Sequence, residues 1–150
     1  VARTNLIPTT LPTLPPVGQP VNKPEARLLA MLERAGFKGA EPQRMIVISP
    51  PHLHTVPDVF FVDPFERTEG VCLYLDGMSA RLHGDPKTAQ RDREITEQLR
   101  NTGYEVRRIP VGDLDDPGAI AGHFQWLGQQ LVGAKPAKAI RDRVSDWFVD

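Results

Sequence analysis

From Asn22 onward, apolar side chains recur at helical spacing. Leu28, Leu29, Leu32 and Ala35 form one stripe, Asn22 stands where an N-cap is needed, and Pro24 and Glu25 fill the first turn. Gly36 offers a left-handed cap, with Phe37 as the apolar contact beyond it. The pattern then changes to short β-like runs at Met45–Ile48, Val59–Val62 and Val71–Leu75. Pro50–Pro51 and the 63–70 segment, which ends in Gly70, punctuate them. Helical spacing resumes over 86–102, opening near Asp85–Pro86 and closing at Gly103, and Tyr104–Ile109 follows as a strand. Two further helices are predicted at 117–132, carrying Ile120, Phe124, Leu127 and Leu131, and at 136–148, ending in Trp147–Phe148. The order α-β-β-β-α-β-α-α predicts an α/β fold with helices flanking a mixed sheet.

The start of the chain follows other rules. Six prolines fall within the first 24 positions. Proline fixes φ and lacks an amide donor, so residues 1–21 are expected to form an extended linker or arm, with the folded domain over 22–150. Such an arm suggests the C-terminal piece of a multidomain protein, and Val rather than Met as first residue suggests a fragment.

Composition narrows the function classes. The 150 residues suit one domain, and 40% apolar with 25% charged residues suits a globular chain rather than a disordered one. No run approaches the ~18 apolar residues of a membrane span, and no signal segment is visible, so no membrane partner and a cytoplasmic location are expected. With 18 Lys+Arg against 19 Asp+Glu, overall charge cannot drive nonspecific coating of nucleic acid, and any such contact must use a local basic face. Cys72 is the one cysteine, which excludes an intramolecular disulfide and a multi-cysteine zinc site. There is no GxxxxGK[ST] loop, so the chain is not itself a motor. His52-Leu53-His54 has a metal-like spacing without a third clear ligand.

Three carboxylates stand where they could converge. Asp58 follows Pro57 at the start of one strand, and Asp76 ends the next strand before Gly77. Neighbouring strands lie ~4.8 Å apart, so acids on them can share a divalent ion. Glu25 leans toward whatever the first helix packs on. Each also has an ordinary role: Glu25 as a capping-box acid, Asp58 as an exposed strand start, Asp76-Gly77 as a turn. Asp92 lies on the apolar stripe of the 86–102 helix, where it needs a partner, whether Arg91, Arg93 or another base.

The ordered set Pro57-Asp58-Val59-Phe60-Phe61-Val62, Val71-Cys72-Leu73-Tyr74-Leu75-Asp76-Gly77, His83-Gly84, Gln90-Arg91-Asp92-Arg93 and Leu99 to Val106 resembles the very-short-patch-repair (Vsr-like) branch of the PD-(D/E)xK nuclease superfamily. The helix containing Glu25 fits the same branch. The resemblance implies a restriction-endonuclease-like mixed sheet flanked by helices, with Mg²⁺ or Mn²⁺ held by Glu25, Asp58 and Asp76. It also implies a DNA endonuclease, which the arm would place as an accessory domain of a helicase-like DNA-processing or bacterial defence protein. Two positions depart from the motif: Tyr74 stands where an acid is expected if Asp76 is the last motif residue, and Met78 where a lysine is expected if Asp76 is that acid. His83 is the nearby candidate for proton shuttling, or else a plain loop residue. Arg81, Lys87, Arg91, Arg107 and Arg108 are the candidate phosphate contacts, or else a solvated mixed-charge face with Asp92, Glu94 and Glu97. The departures leave a catalytically inactive module for DNA or partner binding as the alternative, and Trp147 with Phe148 either pack on a partner or close the domain's own core.

Overall fold

The computed structural model describes residues 22–77 and 85–150; the expected arm at 1–21 and the stretch 78–84, with Arg81 and His83, lie outside the described residues. Helix α1, Lys23–Ala35, forms as its caps require. Asn22 Oδ1 accepts from Glu25 N at 2.8 Å, and Gly36 closes the helix with φ 97°. Strands β1 (Ile46–Val47) and β2 (His54–Thr55) make a two-stranded antiparallel ribbon. The main sheet has the order β3-β4-β5, from β3 (Val59–Phe61), β4 (Gly70–Asp76) and β5 (Tyr104–Pro110). β3 is antiparallel to β4, and β5 runs parallel to it, so the chain between β4 and β5 must cross back over the sheet. Helix α2, Pro86–Asn101, lies on that crossover, capped by Asp85 through Lys87 N.

β4 is central and buried on both faces, which explains its unbroken apolar run. Val71, Leu73 and Leu75 join the larger core, with Leu28 and Leu32 of α1 and with Ile120, Phe124 and Leu127 of α3 (Pro117–Leu131). Cys72 and Tyr74 face the smaller core, with Ile95 and Leu99 of α2 and Phe60 of β3. Between β3 and β4, the nearly buried Asp63 carboxylate organises the connection. It accepts from the backbone amides of Phe65, Arg67 and Thr68 and from the Thr68 hydroxyl, which together hold its carboxyl below the ordinary range despite burial.

The structure departs from the expected elements in three places. β2 is an added strand. A 3-10 turn occupies Val111–Asp115. The helix expected over 136–148 is two helices, α4 (Ala134–Asp142) and α5 (Val144–Trp147), broken at Arg143. The break turns Trp147 inward, where its ring stacks on Phe124 at 4.3 Å and its Nε1 donates to Ile140 O at 2.8 Å. Trp147 is therefore core, 1% exposed.

α3 and α4 meet at Gly128, where a Cβ would come within 2.8 Å of Ala137 Cα and Cβ. Gly128→Val should therefore destabilise by about 1–3 kcal/mol in urea unfolding. Gly122→Ala in the same helix meets nothing within 4 Å and should be neutral or stabilising by up to ~1 kcal/mol.

Candidate functional site

The site grows from the point where β3 stops short of β4. Val59 pairs with Leu73, so the next step of the ladder sets Asp58 beside Tyr74. Asp58 Oδ2 accepts from Leu75 N at 2.7 Å, taking a β4 amide that the short β3 leaves open. Glu25 reaches the same rim from the first turn of α1. It is 1% exposed, and its Oε1 accepts from Gln43 Nε2 at 3.1 Å. Its carboxylate is thus turned toward the rim, although its amide serves the Asn22 cap. Gln43 holds a left-handed backbone, φ 66°, in the loop that delivers it.

Burial pushes the Asp58 carboxyl up from 3.8 to about 6; the Leu75 amide opposes this, while the charge and hydrogen-bond contact of Glu25 and the charge of Asp76 reinforce it. Glu25 and Asp76 both stand near enough for their charges to be felt at Asp58.

Asp76 has its own partner. Arg108 Nη1 donates to Asp76 Oδ1 at 2.9 Å, Nε to Thr96 Oγ1 at 2.8 Å, and Nη2 to Asp92 O at 3.2 Å. The Asp92 carboxylate lies 4.0 Å from Nη1, so its partner is a strand arginine rather than Arg91 or Arg93. The guanidinium carbon stands 4.3 Å from the centre of the Tyr74 ring, whose hydroxyl bonds Thr55 Oγ1 at 2.6 Å.

Of the predicted phosphate contacts, Arg108 is at the rim and Arg107 packs against His123 and Trp126 beyond β5. Lys87 and Arg91 are exposed on α2. Among the described residues, no three His, Cys, Asp or Glu side chains are arranged to hold a metal ion. Mg²⁺ is commonly held by only one or two carboxylates with water and substrate phosphates, and Glu25 and Asp58 are the side chains here that could supply them. Gln43, Thr55 and Thr96 were not anticipated, because no spacing rule links a loop glutamine or a strand threonine to a carboxylate elsewhere. Comparison with protein-family models, curated proteins and solved structures gives no match for this chain.

The crowded pair makes a stability prediction. Between pH 3.8 and about 6 the folded state keeps a proton that the unfolded chain releases, so Asp58 erodes stability as pH rises through that window. Asp58→Asn retains an acceptor for Leu75 N and removes the charge. It should stabilise by roughly 1–2 kcal/mol above pH 6 after allowance for solvent screening, with the gain vanishing below about pH 4, as read from urea midpoints.

Proposed function

We propose that this domain is a Mg²⁺- or Mn²⁺-dependent endonuclease of the PD-(D/E)xK type, cutting DNA phosphodiesters as an accessory part of a larger DNA-processing or defence protein. The observation that carries the reading is the convergence of two acids from different elements on one rim, Glu25 fully buried and accepting from Gln43, and Asp58 accepting from the Leu75 amide with its carboxyl pushed up to about 6. Carboxylates crowded in this way oppose folding unless a proton or a counter-charge offsets them, and a hard cation would supply that counter-charge. The reading is supported by the mixed α/β arrangement, in which α1, the residue just before β3 and the end of β4 each carry an acid.

In this reading Glu25 and Asp58 bind the ion, Gln43 orients Glu25, and the Leu75 amide orients Asp58. A bound Mg²⁺ supplies an acidified water and a Lewis acid for the phosphate. Arg108, beside Asp76, presents positive charge where the phosphodiester would approach.

The inactive alternative also has an observation in its favour. Tyr74 fills the place of an expected acid with its hydroxyl tied to Thr55, and Arg108 both covers its ring and neutralises Asp76.

Plasmid and single-stranded DNA incubated with Mg²⁺ or Mn²⁺ separate the two. The endonuclease reading expects cleavage that Asp58→Asn and Glu25→Gln abolish and that Gln43→Ala slows by about 10–100-fold, as loss of a residue orienting a ligand does. Cleavage indifferent to Asp58 and Glu25 would overturn it. Salt-dependent DNA binding without cleavage in either metal would establish the inactive module.

A further inference from the structure

β5 is an edge strand: β4 lies on one side of it, and among the described residues no strand lies on the other. Glu69 N donates to Gly103 O at 2.9 Å from the β4 side. Backbone groups alternate along a strand, so Glu105 and Arg107 also bond toward β4, while the amides and carbonyls of Tyr104, Val106 and Arg108 face outward. Val106 O accordingly accepts from Arg100 Nη2 of α2 at 3.0 Å, which leaves that carbonyl one lone pair. The space beside the edge is a groove of about 1550 Å³, walled by α2 on one face of the sheet and by His123 and Trp126 of α3 on the other. A cleft that straddles a strand edge in this way is the room a further strand would occupy.

The side chains narrow the choice of strand. Glu105 and Arg107 lie two residues apart on one face of β5, both half-buried at the groove. Arg107 Nε donates to His123 Nδ1 at 2.9 Å, and among the described residues neither Arg107 nor Glu105 has an oppositely charged partner. Two antiparallel copies of β5 related by a twofold axis normal to the sheet keep like faces together. With the axis at Val106, Glu105 of each copy lies opposite Arg107 of the other, and Tyr104 lies opposite Arg108. The outward backbone groups of Tyr104, Val106 and Arg108 then bond one another. The Glu105–Arg107 pairs fall in the closer, non-hydrogen-bonded positions, about 4.5 Å between Cα atoms. An axis at Glu105 or at Arg107 would set that residue opposite its own copy, like charge on like. The Arg107 axis would also bring Pro110, which has no amide to donate, against Tyr104.

We propose that the β5 edge recognises a second copy of this chain, pairing antiparallel about Val106 so that two three-stranded sheets become one continuous sheet, with reciprocal Glu105–Arg107 ion pairs across the axis. The mixture of signs along the groove suits this occupant, because a copy presents the same mixture reversed in direction. Trp126, its ring centre 5.3 Å from the Arg107 guanidinium carbon, adds an aromatic surface beside the ion pairs. Pairing of this kind needs neither metal nor nucleic acid, so it stands apart from the endonuclease reading.

The test is sedimentation velocity of the full chain at low salt, from about 1 μM to about 1 mM, the range of weak association. The wild type should show a reversible monomer–dimer equilibrium. Glu105→Arg and Arg107→Glu should each weaken the dimer by about tenfold or more, since both reciprocal pairs become repulsive. An equimolar mixture of these two variants should dimerise again, because their edges are complementary at both positions. Glu105→Gln removes the charge without reversing it and guards against a folding defect; it should weaken the dimer less than Glu105→Arg. Lys135→Gln, an exposed charge on α4, should change nothing. Deuterium exchange at the amides of Val106 and Arg108 should slow as protein concentration rises, and those of Glu105 and Arg107, already turned to β4, should not respond. A monomer throughout the range would overturn the proposal, as would a dimer indifferent to both reversals or reversal variants that stay monomeric when mixed. Assembly beyond the dimer would overturn it too, because a twofold axis closes after two copies.

Discussion

The structure depends on one strand being buried on both faces. β4 lends Val71, Leu73 and Leu75 to one core and Cys72 and Tyr74 to the other, so neither core closes without it. Its hydrogen-bonding edges are equally committed, antiparallel to β3 and parallel to β5. A strand so enclosed has one direction left in which to carry polar groups, and that is off its end. There Asp76 emerges, the Leu75 amide reaches Asp58, and the first turn of α1 brings in Glu25. The position of the candidate chemistry is thus a consequence of the packing.

Burying Glu25 beside Asp58 is unfavourable, and the local structure offsets only part of the cost. One carboxylate receives a side-chain amide from Gln43, the other a backbone amide from Leu75. Two neutral donors do not cancel two neighbouring negative charges in a part-dry site, so Asp58 retains a proton more readily than an exposed acid does. Asp63 is the instructive contrast. It is nearly as buried as Glu25, but four donors surround it and its ionised form is favoured. Asp63 serves the fold, whereas buried Glu25 and half-buried Asp58 have one donor each.

Much of the fold was legible because its signals are local. Asn22 and Gly36 bracket α1 by chemistry that acts within a few residues, and Asp85 opens α2 in the same way. β4 and β5 were legible from their apolar and branched side chains. β2 was not, since two residues carry no alternation to read. Nor was the break at Arg143, which is fixed by Trp147 stacking on Phe124, a contact between segments far apart in the chain. The same division holds at the rim. Element order suggested grouping Glu25, Asp58 and Asp76; the structure sets Glu25 near Asp58 but gives Asp76 to Arg108, a partner that lies in another strand and that no local spacing announces. Gln43 depends on a left-handed loop residue, and the bond between Thr55 and Tyr74 on a ribbon too short to foresee.

Arg108 is where the two functional readings part. A guanidinium that bonds Asp76, Thr96 and the Asp92 carbonyl while covering Tyr74 is held from four directions, and it neutralises the third acid of the rim. Neutralising Asp76 lessens the repulsion that Asp58 feels, so the ion pair keeps Asp58 nearer to ionisation. Rigid Arg–carboxylate pairing also leaves positive charge at a fixed place beside the rim, without the entropy loss of ordering a free lysine. In the endonuclease reading proposed above, a phosphodiester and a divalent ion would meet a site divided between them, the phosphate on the Arg108 side of Asp76 and the cation on the Glu25–Asp58 side, with the end of β4 as the boundary.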